Sequence, residues 1–86
     1  MATEKRTFTI SVLKEDGVVY YGECSALTVP STKDSVTILP YHIPVIMKLG
    51  VGTITMYTGR QKQNLCTVKS GLLYVGDNEV TILVDL

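Results

Sequence analysis

The sequence predicts an all-β protein, an antiparallel β-sandwich of about ten short strands. Three observations carry that expectation. Val, Ile and Thr number 11, 6 and 11 among the 86 residues, and stiff, branched side chains suit a pleated surface better than a helix. Apolar and polar residues alternate over short runs, the pattern of a half-buried strand. Turn signals recur about every 8–10 residues, the rhythm of a sandwich or barrel.

The elements follow in order. Residues 1–7 read as an N-terminal extension and 8–86 as one domain. Phe8 to Val12 alternates, and Glu15-Asp16-Gly17 turns the chain, with Gly17 free to take a positive φ. Val18 to Tyr21 and Ala26 to Val29 read as the next strands. Pro30 to Asp34 is a polar loop. Val36 to Leu39 is a short strand stopped by Pro40, which has no N–H for a ladder. Tyr41-His42-Ile43-Pro44 is a connection stiffened by a proline on either side. Val45 to Leu49 is the one segment that could make a helical turn. Thr53 to Tyr57 alternates, Thr58 to Gln61 turns, and Asn64 to Val68 returns. Leu72 to Val75, the tight turn Gly76 to Glu79 and Val80 to Val84 complete the chain. The expected core is Ile10, Val12, Leu27, Val29, Ile38, Ile54, Leu65, Leu73, Val75, Ile82 and Val84. Ile43, Val45 and Met47 read as core more than interface.

Composition excludes several functions. Eight Lys and Arg balance eight Asp and Glu, so no basic face is available to neutralise phosphates. Apolar residues make up 45% of the chain, too many for a disordered tail. No run approaches the length that spans a bilayer, and Met-Ala-Thr-Glu-Lys-Arg-Thr lacks the apolar stretch of a secretory signal. The expectation is a cytosolic chain, or one attached to something by protein contacts. Cys24 and Cys66 fit no metal spacing and read as half-buried thiols.

Chemistry is hard to place. His42 is the one histidine, and any dyad would have to use it. No serine stands in a Gly-x-Ser-x-Gly context. Gly50-Val51-Gly52 starts like a dinucleotide loop, but Thr55 occupies the third glycine's place and no helix follows. The acidic pairs Glu15/Asp16 and Asp77/Glu79 sit at turns. No catalytic residue, cofactor site or metal site is expected.

One segment narrows the field. Val36-Thr-Ile-Leu-Pro-Tyr-His-Ile-Pro-Val45 resembles the Ile-Leu-Pro-Gly-His-Ala-Pro signature of the epsilon subunit of F-type ATP synthases, called delta in mitochondria. A second stretch, Val68-Lys-Ser-Gly-Leu-Leu-Tyr-Val-Gly-Asp-Asn-Glu-Val-Thr-Ile-Leu-Val-Asp85, is similar to the family's Ser-Gly-Gly-x-Leu-Glu-Val, turn, Val-Thr-Val-Leu-Ala-Asp. The similarity runs in order from about Phe8 to Asp85. It implies a ten-stranded sandwich without an active site of its own, a rotor element of the central stalk on the cytoplasmic side of a bacterial inner membrane. There it links the gamma shaft to the membrane c ring, so that proton or sodium flow drives ATP synthesis. It implies a gamma contact through Tyr41, His42, Ile43 and Pro44, all at the surface. It implies a c-ring contact through Ser31, Thr32, Lys33, Asp34 and Ser35.

Departures accompany the resemblance. Tyr41 stands for the family's glycine and Ile43 for its alanine. Ser35 replaces the usual Glu near the ring, leaving Asp34 as the carboxylate, and Leu72 replaces the second glycine of Ser-Gly-Gly. The family continues into a helical hairpin that inhibits ATP hydrolysis, and this sequence stops at Leu86. Inhibition by inserted helices and ATP binding are therefore not expected of it. His42 has two readings, a cap for backbone groups or a shaft contact. Two other functions stay open on residues alone. One is a stand-alone β-sandwich adaptor or ligand-binding module that shares only the fold. The other is a small enzyme using His42 with Cys24 or Cys66.

Overall fold

A computed structural model describes residues 7–41 and 43–85. They form two packed sheets from nine strands: β1 (Phe8–Lys14), β2 (Gly17–Cys24), β3 (Ala26–Pro30), β4 (Ser35–Ile38), β5 (Val45–Leu49), β6 (Gly52–Thr58), β7 (Gln61–Val68), β8 (Ser70–Gly76) and β9 (Glu79–Asp85). The five-stranded sheet runs β2-β1-β9-β8-β5 and the four-stranded sheet β4-β3-β6-β7.

Alternation does the local work. In β1, Phe8, Ile10 and Val12 are buried while Thr9, Ser11 and Leu13 are not. In β9, Val80, Ile82 and Val84 point inward. These meet Leu27, Val29, Ile38, Ile54, Met56 and Val68 from the opposite sheet in one cluster. Burial of this kind contributes about 1.5–3 kcal/mol per large side chain.

Three hairpins have two-residue loops. The β8–β9 loop is Asp77-Asn78, with φ of 39° and 57°. Positive φ at both central residues twists the ribbon as the strands require. Between sheets, the chain is pinned where it crosses. The Ser25 N–H donates to the Tyr57 carbonyl at 2.7 Å, and the Lys69 N–H to the Asp85 carbonyl at 2.8 Å.

The structure corrects the sequence reading at several points. There are nine strands among the described residues, and the pairing is not wholly antiparallel: β1 and β9 run parallel, with Val12 opposite Ile82. These strands come from opposite ends of the domain, so no short hairpin dictates their relative direction. Val45 to Leu49 is strand β5, paired with β8, and not a helical turn. Leu65 is half-buried, not core. Ile54 pairs with Cys66 and Thr55 with Asn64, which leaves Leu65 as the extra residue of a β-bulge and out of the alternation. Pro30 closes β3 and Ser35 opens β4, so the polar loop is shorter than expected. Cys24 is fully buried, and Phe8, Leu49, Met56, Val68 and Val80 join the core.

Ile82 sits between Val12 and Leu73 on neighbouring strands and has no exposed surface. Ile82→Ala is expected to cost about 2–5 kcal/mol of stability, read from the midpoint of a urea titration.

Candidate functional site

Two outward rows cross the five-stranded sheet. The register aligns Ile46, Tyr74, Thr81, Ser11 and Tyr21 in one row. It aligns Lys48, Leu72, Leu83, Leu13 and Val18 in the next. Seven of these ten side chains are apolar. Tyr21 is 70% exposed, Ile46 71%, Val18 64%, and Leu72, Leu83 and Tyr74 are each about half exposed. Lys48 is the one charged residue in either row.

The four-stranded sheet turns a different face outward. There Thr28 and Thr37 pair through their hydroxyls at 3.1 Å and Thr53 and Thr67 at 3.2 Å, while the buried Thr55 hydroxyl donates to Asn64 Oδ1 at 3.1 Å. Cross-strand hydroxyl pairs stabilise the sheet and leave a polar surface that water covers well. The molecule thus has one wet face and one apolar face. A contiguous apolar patch of this kind marks a protein-binding surface.

The two ends of the sandwich are each built from strapped loops. At one end the Pro30–Ser35 connection folds on itself. The Ser31 N–H donates to the Asp34 carbonyl at 2.6 Å, and the Ser31 hydroxyl accepts from the Asp34 N–H at 3.0 Å. Ser31 also bridges to Leu49, and the Gly50 N–H donates to the Pro30 carbonyl at 2.9 Å. A Cβ on Gly50 would collide with the Ser31 carbonyl oxygen, and one on Gly52 would press on the Pro30 ring. The glycines let this connection lie against the loop, with Thr32, Lys33, Asp34 and Ser35 left exposed.

At the other end lies the connection from β4 to β5. Tyr41 is 62% exposed with φ of 62°, and Ile43 is 74% exposed. Ile43 therefore belongs to the surface and not to the core, while Val45 and Met47 are half-buried against the cluster. Pro44 is exposed. Tyr41, Ile43 and Pro44 line a shallow groove with Asp77 and Asn78. His42 lies outside the described residues. The two sets of predicted site residues occupy opposite ends of β5, whose five residues separate them by about 13 Å along the strand.

Sequence reasoning placed these loops but missed the apolar sheet face. Its signal was present: Leu72 to Val75 and Val80 to Val84 are near-continuous apolar runs. Such runs mean cover on both faces of a strand.

Among the described residues, no group of three His, Cys, Asp or Glu could hold a metal. Burial pushes the Cys24 thiol up to about 11, and burial also raises that of Cys66. The surfaces described are suited to binding.

Together these features define a small β-sandwich with one apolar face, one polar face and a strapped loop at each end. The comparisons agree: residues 7–86 match the family described as ATP synthase, Delta/Epsilon chain, beta-sandwich domain, and the chain belongs to that family. It is 36% identical over 76 residues to the ATP synthase epsilon chain of Leptospira borgpetersenii, covering 88% of this chain and 59% of that one. The chain thus spans less than two thirds of the curated relatives it matches. The fold is similar to that of a chain of the Euglena gracilis mitochondrial ATP synthase, with a TM-score of 0.85 at 16% identity over 96% of this chain and 53% of that one. It is also similar to a chain from the central stalk and c-ring of the Tetrahymena thermophila mitochondrial ATP synthase. There the TM-score is 0.73 at 18% identity, over 95% of this chain and 66% of that one.

Two outcomes are expected. Gly50→Ala should destabilise the domain by about 1–3 kcal/mol, since the Ser31 backbone must move to admit a methyl group; a melting scan reads this. A thiol raised to about 11 keeps its proton in the folded state while an unfolded thiol loses its own near 9. The Cys24 contribution is thus complete below pH 9 and declines as the pH rises to 11. Cys24→Val should flatten the alkaline loss of stability in a pH series of urea titrations.

Proposed function

We propose that this chain is a non-catalytic rotor element of an F-type ATP synthase, held at the cytoplasmic side of a bacterial inner membrane by its protein partners. The apolar outer face of the five-stranded sheet carries the reading. It docks on the gamma shaft, with Tyr41, His42, Ile43 and Pro44 extending the contact at one end. The opposite end, Ser31 to Ser35, meets the polar loops of the c ring. Family membership supports this choice of partners, as does the likeness of fold to a central-stalk chain.

The physical demands of the role fit the geometry. A part that transmits torque must not shear, and a two-sheet core clamped at its crossings resists shear. Its grip on the shaft must be strong, which an apolar face rich in Tyr and Leu provides. The ring contact is polar and exposed. Single charge pairs there contribute only about 0–1 kcal/mol and weaken with salt.

Leu72→Asp is expected to abolish co-purification with the gamma subunit and leave the fold intact, because Leu72 is half exposed and its replacement would bury a lone carboxylate in the complex. Ile43→Asp should weaken the same complex by about 2–3 kcal/mol, measured by calorimetry. In the assembled enzyme, a cysteine at Asp34 should cross-link to one in the c-subunit loop. Cross-links forming only from Asp77 or Glu79 would reverse the orientation.

A further inference from the structure

The β8–β9 turn poses a question that its backbone does not answer. Asp77 and Asn78 both have positive φ, and glycine is the residue such a turn favours at its second position. Asn78 is there instead, and its side chain leaves the hairpin. The Tyr41 N–H donates to Asn78 Oδ1 at 2.7 Å, and Asn78 Nδ2 donates to the Thr7 carbonyl at 2.8 Å. One orientation of the amide satisfies both bonds and the flipped one satisfies neither, so the assignment is unambiguous. A third bond, from the Thr9 N–H to the Asn78 carbonyl at 3.3 Å, ties the same residue to the start of β1. The partners lie 37 and 71 positions from Asn78 in the chain.

Tyr41 needs such a tether. Its φ of 62° is a left-handed conformation that costs a non-glycine residue about 1 kcal/mol or more. An unrestrained Tyr would leave it.

We propose that Asn78 is a positioning residue: its amide ties the Tyr41 backbone to the start of β1 and so presents Tyr41 in one fixed pose for docking on the shaft. The last step rests on the docking reading above. The first step, the tether itself, does not.

Two substitutions separate the tether from the turn. Asn78→Gly keeps the turn, since glycine is at ease at positive φ, and removes both side-chain bonds. Asn78→Asp keeps an acceptor for the Tyr41 N–H and loses the donor to Thr7. A residue serving only the turn predicts that glycine is harmless and Asp the poorer of the two. The tether predicts the reverse. Hydrogen exchange at the Tyr41 amide in the free 86-residue chain should accelerate about tenfold in Asn78→Gly and by a clearly smaller factor in Asn78→Asp, which keeps the acceptor for Tyr41 but loses the bond to Thr7. Dissociation from the gamma subunit should quicken by a similar factor in Asn78→Gly, and less in Asn78→Asp. Unchanged Tyr41 exchange in Asn78→Gly would overturn the tether. Accelerated exchange with unchanged dissociation, when Leu72→Asp does abolish docking, would overturn the positioning role and leave the docking reading standing. If the wild-type chain itself fails to bind gamma, the docking reading falls, and the exchange rates still decide the tether.

Discussion

The position of β9 is the constraint on which the rest depends. Among the described residues it alone joins the two halves of the five-stranded sheet, parallel to β1 on one side and antiparallel to β8 on the other. Without it the β1–β2 hairpin has no partner in its own sheet, and β8 and β5 form a separate ribbon. Neither piece would cover the four-stranded sheet. The strand answers this demand with three inward residues, Val80, Ile82 and Val84, all buried. Its outward Leu83 lies in the middle of the apolar row. One strand thus closes the core and carries the centre of the binding face.

The two ends of the molecule follow a common rule. Each exposed loop is held by backbone or amide contacts from a distant part of the chain, so that its side chains are displayed on a fixed base. At the Ser31–Asp34 end, glycines let another connection lie against the loop. At the Tyr41–Pro44 end, an asparagine reaches across from a hairpin. Proline contributes at both, by limiting φ in Pro30 and Pro44. Loops built this way lose little conformational entropy when a partner arrives, which is the advantage of preorganisation.

Much of this was legible in the residues. The strands other than β5 were legible there, and ten of the eleven expected core residues are buried. The turns at Asp16, Gly59 and Asp77 are where Gly, Asp and Asn placed them. What escaped was non-local. A bulge displaced Leu65, and nothing in the local pattern signals an inserted residue whose effect depends on the partner strand. The parallel pairing of β1 and β9 joins segments some seventy residues apart, beyond any window of periodicity. Phe8 and Met56 extend the inward alternation of Ile10 and Ile54 by one step, while Cys24 is buried where β2 ends opposite Phe8. The loops at Ser31–Ser35 and Tyr41–Pro44 were read from polar residues and prolines, and only their partners came from the resemblance, whereas the apolar sheet face was hidden inside runs that read simply as strand.

The contrast between a threonine-lined face and an apolar one also has a cellular consequence. A chain that keeps one side wet and the other dry is at ease only in company. Made in excess, it presents Tyr21, Ile46 and Leu72 to whatever is nearby, and two such faces are sticky to each other before any correct partner appears. Covering that apolar side is therefore a matter of solubility as much as of function.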